Sequence, residues 1–262
     1  MRIFAEPLEK MNSAQTTFRH ASRRWLAAAL LFTLAVIAPL AAQAGLNYIN
    51  PGKPDAATLL APPPPPDSAE QAADMDEVRT VYHAVGSNDI AAAYSEKKFS
   101  VFNFTPVVGI FFIATNLPQT TAFFEKVQLD AETVTDLGKD YFHRPRPFTT
   151  DPSLANGKLE KSFSYPSGHS TESMTLALVL ADLFPDKHDA IIAKARSIGW
   201  HRVQIARHYQ SDIYAGRVLA QAIVRELKAS PDFQKDFAEV KAELAAAQKQ
   251  AGNQQNRLGI SY

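Results

Sequence analysis

From Asp67 onward almost every segment carries apolar residues at three- to four-residue spacing, and no run of alternating apolar and polar residues interrupts it. That period gathers apolar side chains on one helix face, so an all-α protein is expected, built as a compact multi-helix bundle domain. No internal repeat is visible, which sets solenoids aside. The 262 residues suit one domain of ordinary size once a targeting segment is set apart.

That segment is residues 1–44. Arg19, His20, Arg23 and Arg24 precede an apolar run over 25–40, and Ala42 and Ala44 in "AAQA" give a small-x-small pattern before Gly45. The run is short for a membrane span and no basic stop-transfer patch follows, so it reads as a cleaved signal peptide that exports the chain; a retained anchor is the alternative. Residues 45–66 end in five consecutive prolines, 62–66, which force an extended conformation, either as an arm on the domain surface or as a linker. Residues 67–250 are the helical domain and 251–262 a C-terminal tail. Balanced charges, 27 basic against 27 acidic, provide no overall field for nucleic acid or for lasting attachment to an acidic membrane, so any anion site must be local. The absence of Cys removes disulfides, thiol nucleophiles and thiolate metal sites.

Within the domain, Asp67 or Ser68 is placed to cap the first helix. Residues 101–116 are apolar on every face and too short to cross a bilayer, which predicts a buried central helix. The next helix carries Phe123, Val127, Val134, Leu137 and Tyr141 as its apolar stripe. A loop of roughly two dozen residues follows over 143–166, long enough to suggest function. Further helices are expected near 171–184, 186–205 and 211–229, and Pro231 opens an amphipathic one reaching about Gln250.

Three clusters carry chemistry. In "KDYFHRPRPF", Lys139 and Arg146 are separated by six residues, and the X-Pro steps at Arg144 and Arg146 hold these side chains on extended backbone. A rigid guanidinium suits bidentate capture of phosphate oxygens, although cations at a helix end also serve the dipole alone. In "SYPSGHS", Pro166 sets a turn, Ser167 can cap, Gly168 permits close backbone approach and His169 begins a helix. Free N–H groups there make an anion site; an ordinary helix start with a solvent-facing His is the alternative. In "HRVQIARHYQSD", His208 and Asp212 stand at i, i+4, where the carboxylate fixes the imidazole tautomer and frees the other nitrogen to attack. Arg202 precedes His208 by six positions, about 120° away on an unbroken helix. If both meet one ligand, the helix must break near 207–210, with Ser211 capping the next. Rigid cations, a helix N-terminus and two His, one paired with Asp, are the parts needed to move a phosphoryl group without metal. No Walker-type loop, HExxH or dense carboxylate cluster competes.

The ordered set K-x6-RP, PSGH and R-x5-H-x3-D resembles the signature of the type 2 phosphatidic acid phosphatase superfamily. "LLAPPPPP", "KDYFHRPRPF", "SYPSGHS" and "HYQSD" are similar to the bacterial class A non-specific acid phosphatases, over about Leu59 to Gln248. The resemblance implies a phosphomonoesterase acting on varied small esters, nucleotides included, with no metal or organic cofactor, in a homo-oligomer. It implies that Lys139, Arg146, Arg202, Ser167 and Gly168 bind phosphate, that His208 becomes a phosphohistidine oriented by Asp212, and that His169 is the general acid and base. Lipid phosphate or polyprenyl diphosphate phosphatases, vanadium-dependent haloperoxidases and a non-catalytic anion-binding protein are the alternatives. One position departs from the pattern: His201 stands where the family has Ser. It either donates a ring N–H to phosphate in a narrower pocket or packs behind it. Glu172 either raises the pKa of His169 or faces solvent in the first helical turn.

Overall fold

The computed structural model of the chain describes residues 46–258, so the signal-peptide reading of residues 1–44 lies outside the described residues. The fold is all-α. Seven long helices, α1 (Ala69–Ala84), α2 (Ser87–Ser95), α3 (Pro118–Phe142), α4 (Gly168–Leu183), α5 (His188–Gln204), α6 (Gln210–Ala229) and α7 (Pro231–Leu258), are joined by short helical turns, with no strand among the described residues. None of the described helices is long and apolar enough to cross a membrane.

The centre of the bundle is α4, which packs against α3, α5 and α6. Its sequence mixes Leu176, Val179 and Leu180 with Ser170, Thr171 and Ser173, all buried. The hydroxyls are satisfied by backbone: Ser170 Oγ donates to Ile213 O at 2.8 Å and Thr171 Oγ1 to Ser167 O at 2.9 Å. Small residues let α6 come close. A Cβ on Gly216 would lie 2.9 Å from both Ser167 O and Ser170 Cβ, so glycine is required where α6 crosses the start of α4. This contact joins the "PSGH" turn to the "HYQSD" helix.

The segment 101–116 is not the central helix that its composition predicts. It is three short turns, Val101–Phe104, Thr105–Val108 and Ala114–Asn116, because Pro106 removes an N–H and Gly109, at φ 125, ends the second turn. Phe102, Phe104 and Phe112 join an aromatic cluster with Phe99 and Phe184, while Ile110 is 77% exposed. On α3 the stripe also differs. Phe123, Val127 and Val134 are buried, but Leu137 and Tyr141 are exposed, and the inward positions are Ala131 and Gly138. A helix of 3.6 residues per turn carries Gly138, not Leu137, under Pro166.

α1 is capped by Ser68, whose hydroxyl accepts from the Gln71 N–H. The N-terminal segment is tied to α3 by Asp130, fully buried, which accepts the N–H groups of Asn47 at 2.6 Å and Tyr48 at 2.8 Å. α7 runs past Gln250 to Leu258, so most of the expected tail continues the helix; its Ala-, Gln- and Lys-rich sequence sustains helix propensity over that length.

Candidate active site

α5 ends in a Schellman turn: the Ala206 N–H donates to Val203 O at 2.9 Å and the Arg207 N–H to Arg202 O at 2.8 Å. Ala206 sits at φ 54, a left-handed conformation that costs a non-glycine residue about 1–2 kcal/mol. The chain turns over residues 205–209 and restarts as α6 at Gln210, so the expected break is present, slightly earlier than the spacing suggested. The cap differs. Asp212 reaches back to accept the Tyr209 N–H at 2.9 Å, while Ser211 lies in the first turn, accepting from Arg144 and donating to Asp74.

This turn puts His208 against the "RPRP" segment. Arg146 NH1 lies 3.1 Å from His208 Nε2, and a guanidinium can only donate, so Nε2 is the lone-pair nitrogen. The proton is then on Nδ1, which faces Asp212 Oδ2 at 3.3 Å and Ser164 Oγ at 3.4 Å. Burial, then the charges of Arg146, Arg202 and Lys139, hold the His208 pKa well below the usual histidine range. Burial holds the Asp212 carboxyl above the usual carboxylate range, and Arg144 at 2.6 Å, Ser164 at 2.5 Å and the Tyr209 N–H limit that rise.

The start of α4 forms the opposite wall. Ser167 is its N-cap, and the Ser167 N–H donates to Asp212 O at 3.1 Å, which locks "PSGH" to α6. A Cβ on Gly168 would meet Lys139 Nζ at 3.4 Å and Glu172 Oε1 at 3.3 Å, so the ammonium from the last turn of α3 reaches the same helix start. His169 Nε2 donates to Glu96 O at 3.2 Å, since a carbonyl only accepts; this leaves Nδ1 as its basic nitrogen. Burial, with Arg202 and His208, pushes the His169 pKa down to about 3. Arg202 is buried, its pKa lowered to about 10 by burial, and its Nε has no partner. All eight residues singled out by the motifs therefore border one site.

Both ring nitrogens of His201 are taken up by neighbours outside the motif residues. Its Nδ1 lies 2.7 Å from Glu96 Oε2 and its Nε2 3.0 Å from Ser197 Oγ, which makes it a packing residue. Burial pushes the Glu96 carboxyl up, but hydrogen bonds from His201 and Lys194 outweigh it and hold it below the usual value. Restoring Ser at this position, His201→Ser, is expected to cost about 1–3 kcal/mol in denaturant unfolding through the buried, half-partnered Glu96, and to leave kcat/KM within a few-fold. A large loss of kcat/KM with unchanged stability would place His201 on the substrate.

Glu172 does not face solvent. It is half-buried and accepts from Gln128 Nε2 at 2.9 Å. Burial pushes its carboxyl up to about 7, Glu132 and Asp136 adding to the rise and Gln128 and Lys139 opposing it. Sequence reasoning gave no role to Ser164, Glu160 and Arg207, and set Arg144 beside Arg146 without separating their tasks. Arg144 and Ser164 hold Asp212, Glu160 holds Arg202, and Arg207 holds Glu160. A cavity of about 460 Å³ under prolines 62–66 touches Arg144 and Tyr209 but neither His208 nor His169. Among the described residues no group of three or more His, Asp or Glu is arranged to hold a metal ion.

The family described as the PAP2 superfamily matches residues 127–234, which contain the whole site apart from Glu96. A non-specific acid phosphatase of Salmonella typhi is 33% identical over 174 residues, covering 62% of this chain and 69% of that protein. One from Providencia stuartii is 36% identical over 116 residues, 42% of this chain, and the match spans only 47% of that relative's length. A lipid A 1-phosphatase of Rhizobium etli is 39% identical over 77 residues, 29% of this chain and 32% of that protein. With the Salmonella relative matched over more than two thirds of its length and the family's span enclosing the His208 and His169 walls, the chain belongs to the PAP2 superfamily, beside the non-specific acid phosphatases.

Proposed function

We propose that the chain is a metal-independent acid phosphatase that hydrolyses small phosphomonoesters, nucleotides among them, through a phosphohistidine. The observation that carries this reading is the state of His208: Nε2 unprotonated beside Arg146 and Nδ1–H held by Asp212. Lys139, Arg146, Arg202, Ser167 and the Gly168 N–H hold the non-bridging oxygens and offset the charge of the transition state. His208 Nε2 attacks phosphorus in line, the P–O bond to the leaving group breaks, and His169 passes a proton to the departing oxygen. Water then attacks phosphorus, His169 takes its proton, and the N–P bond breaks to release phosphate and restore the lone pair. Asp212 offsets the positive charge on the phosphorylated ring. The signal peptide over residues 1–44 would direct this activity to the periplasm. The Rhizobium relative supports a second reading, a lipid phosphate as substrate, which a substrate panel separates.

The test is turnover of aryl phosphomonoesters and of a lipid phosphate, in EDTA, across pH. In the empty site His169 is neutral above about 3, so the proton that it passes on enters with the substrate's monoanion. Phosphomonoesters lose that proton near pH ~6. kcat/KM is therefore expected to fall above that value, and a more acidic aryl phosphate should move the limb down by its own difference in pKa. A limb fixed near 7 for both substrates would assign the titration to Glu172. Absence of turnover, or loss of it in EDTA, would overturn the proposed function.

A further inference from the structure

Arg202 has one charged partner, and it is an internal one. Its NH2 donates to Glu160 Oε1 at 2.7 Å, while Glu160 Oε2 lies 2.9 Å from Arg207 Nε. Glu160 belongs to the loop that precedes α4. Arg207, buried in the turn between α5 and α6, holds that loop by donating to the carbonyls of Asn156 and Lys158. Arg146 holds it again through Ser162, donating from Nε to the carbonyl at 2.8 Å and from NH2 to the hydroxyl at 3.0 Å. The loop thus delivers one carboxylate to the cation that the proposed function gives to phosphate.

The two Arg residues of the cradle differ in how they are occupied. Arg146 is bonded to neutral oxygens of Ser162 and Arg207 and to His208, so no carboxylate bonds it directly, although the charges of Glu160 and Asp212 reach it. Arg202 is bonded to a carboxylate, and its Nε is buried with no partner. A carboxylate presents two oxygens to a guanidinium much as a phosphoryl group does. Two anions a few ångströms apart repel strongly at the effective dielectric of a protein surface, so phosphate and Glu160 do not comfortably share Arg202. The Glu160 side chain is 31% exposed against 4% for Arg202, although its Oε2 is buried with no hydrogen-bond partner, so it is the member of the pair with room to move.

We propose that Glu160 is a resident competitor for phosphate: its carboxylate occupies Arg202 in the empty site, yields to the substrate's phosphoryl group, and recaptures the guanidinium as inorganic phosphate leaves. This inference rests on Arg202 being a phosphate ligand in the proposed function. It makes Glu160 the residue that tunes affinity at Arg202, much as Asp136, 2.7 Å from Lys139 Nζ, does at the ammonium. A cradle of three cations would otherwise retain its product, and an anion tethered beside it shifts the balance toward release.

The experiment is titration of the full chain with inorganic phosphate by calorimetry, wild type against Glu160→Gln, with hydrogen exchange of residues 156–162 followed in parallel. Gln keeps the shape and an acceptor oxygen but removes the charge. The variant is expected to bind phosphate roughly fivefold tighter, the size of a partly exposed ion pair, with KM for an aryl phosphate falling alongside it. In the wild type, phosphate should speed exchange around Glu160. Weaker or unchanged phosphate binding in the variant would make Glu160 a support for Arg202 and overturn the proposal. Should the variant not fold, slower or unchanged exchange of the wild-type loop on adding phosphate overturns it equally. Phosphate binding without turnover would sink the proposed function and leave this inference standing, whereas a wild type that binds no phosphate removes both.

Discussion

Replacing His208 by Ala is expected to lower kcat by on the order of 10^4-fold or more, and to abolish the acid-labile phosphoenzyme that rapid quenching should trap from the wild type. The expectation follows from geometry that no neighbour can duplicate. Among the described residues of the site, the only nitrogen with both an oriented lone pair and a buried carboxylate behind it is His208 Nε2. His169 cannot take its place, because its Nε2 is committed to the Glu96 carbonyl and no carboxylate lies behind the ring. The phosphate wall should survive the change. Arg146 keeps its bonds to Ser162 and Arg207, and Asp212 keeps Arg144, Ser164 and the Tyr209 N–H. Phosphate should therefore still bind to the variant, which separates loss of the nucleophile from loss of the site. A His208→Ala protein that still accumulates phosphoenzyme would move the nucleophile elsewhere.

The motifs were legible because each pairs a residue type with a backbone feature that the same few letters specify. "PSGH" encodes a turn, a cap and a helix start, and the N–H groups of that start are the ones that the proposed function turns toward phosphate. The break after Arg202 could be required from the spacing and placed to within about two residues, but not pinned, because its left-handed residue is Ala206, where a Gly would have marked it. Composition failed at residues 101–116, where an apolar run with Pro106 and Gly109 reads like a buried helix yet closes only short turns. It also hid α4, the real centre, whose buried Ser and Thr look like surface until their backbone partners on α5 and α6 are seen. The tandem Arg-Pro steps are the sharpest limit. Arg144 and Arg146 have the same local sequence, and only the packing of α1 and α6 decides that one serves Asp212 and the other His208.

Arg144 carries the second large effect, this time on stability. Its guanidinium is buried, stacks 3.9 Å over the Tyr209 ring, and donates to Asp212 at 2.6 Å, Ser211 at 2.7 Å, Gln71 at 2.6 Å and Asp74 at 2.8 Å. It joins α1 to α6 directly behind the Asp212 carboxylate. Arg144→Met keeps much of the volume and removes the charge, leaving Asp212 fully buried without a cation. The expected cost is about 3–5 kcal/mol in denaturant unfolding at neutral pH. The deficit should depend on pH with a defined sign. Burial already holds the Asp212 pKa above its unfolded value, and without Arg144 it rises further, so the folded variant favours the protonated carboxyl more strongly than the wild type; relative to the wild type, stability is kept below about pH 4 and lost as pH climbs. Stability curves at pH 4 and 7 check this, and a deficit that shrinks toward pH 7 would contradict it. kcat should fall as well, because a carboxyl that must take up a proton no longer holds the His208 Nδ1–H. Pairing Arg144→Met with Asp212→Asn removes the stranded charge and should recover much of the stability while leaving kcat low. That split would identify the buried pair as what keeps Asp212 ionised for His208, beyond its part in holding α1 to α6.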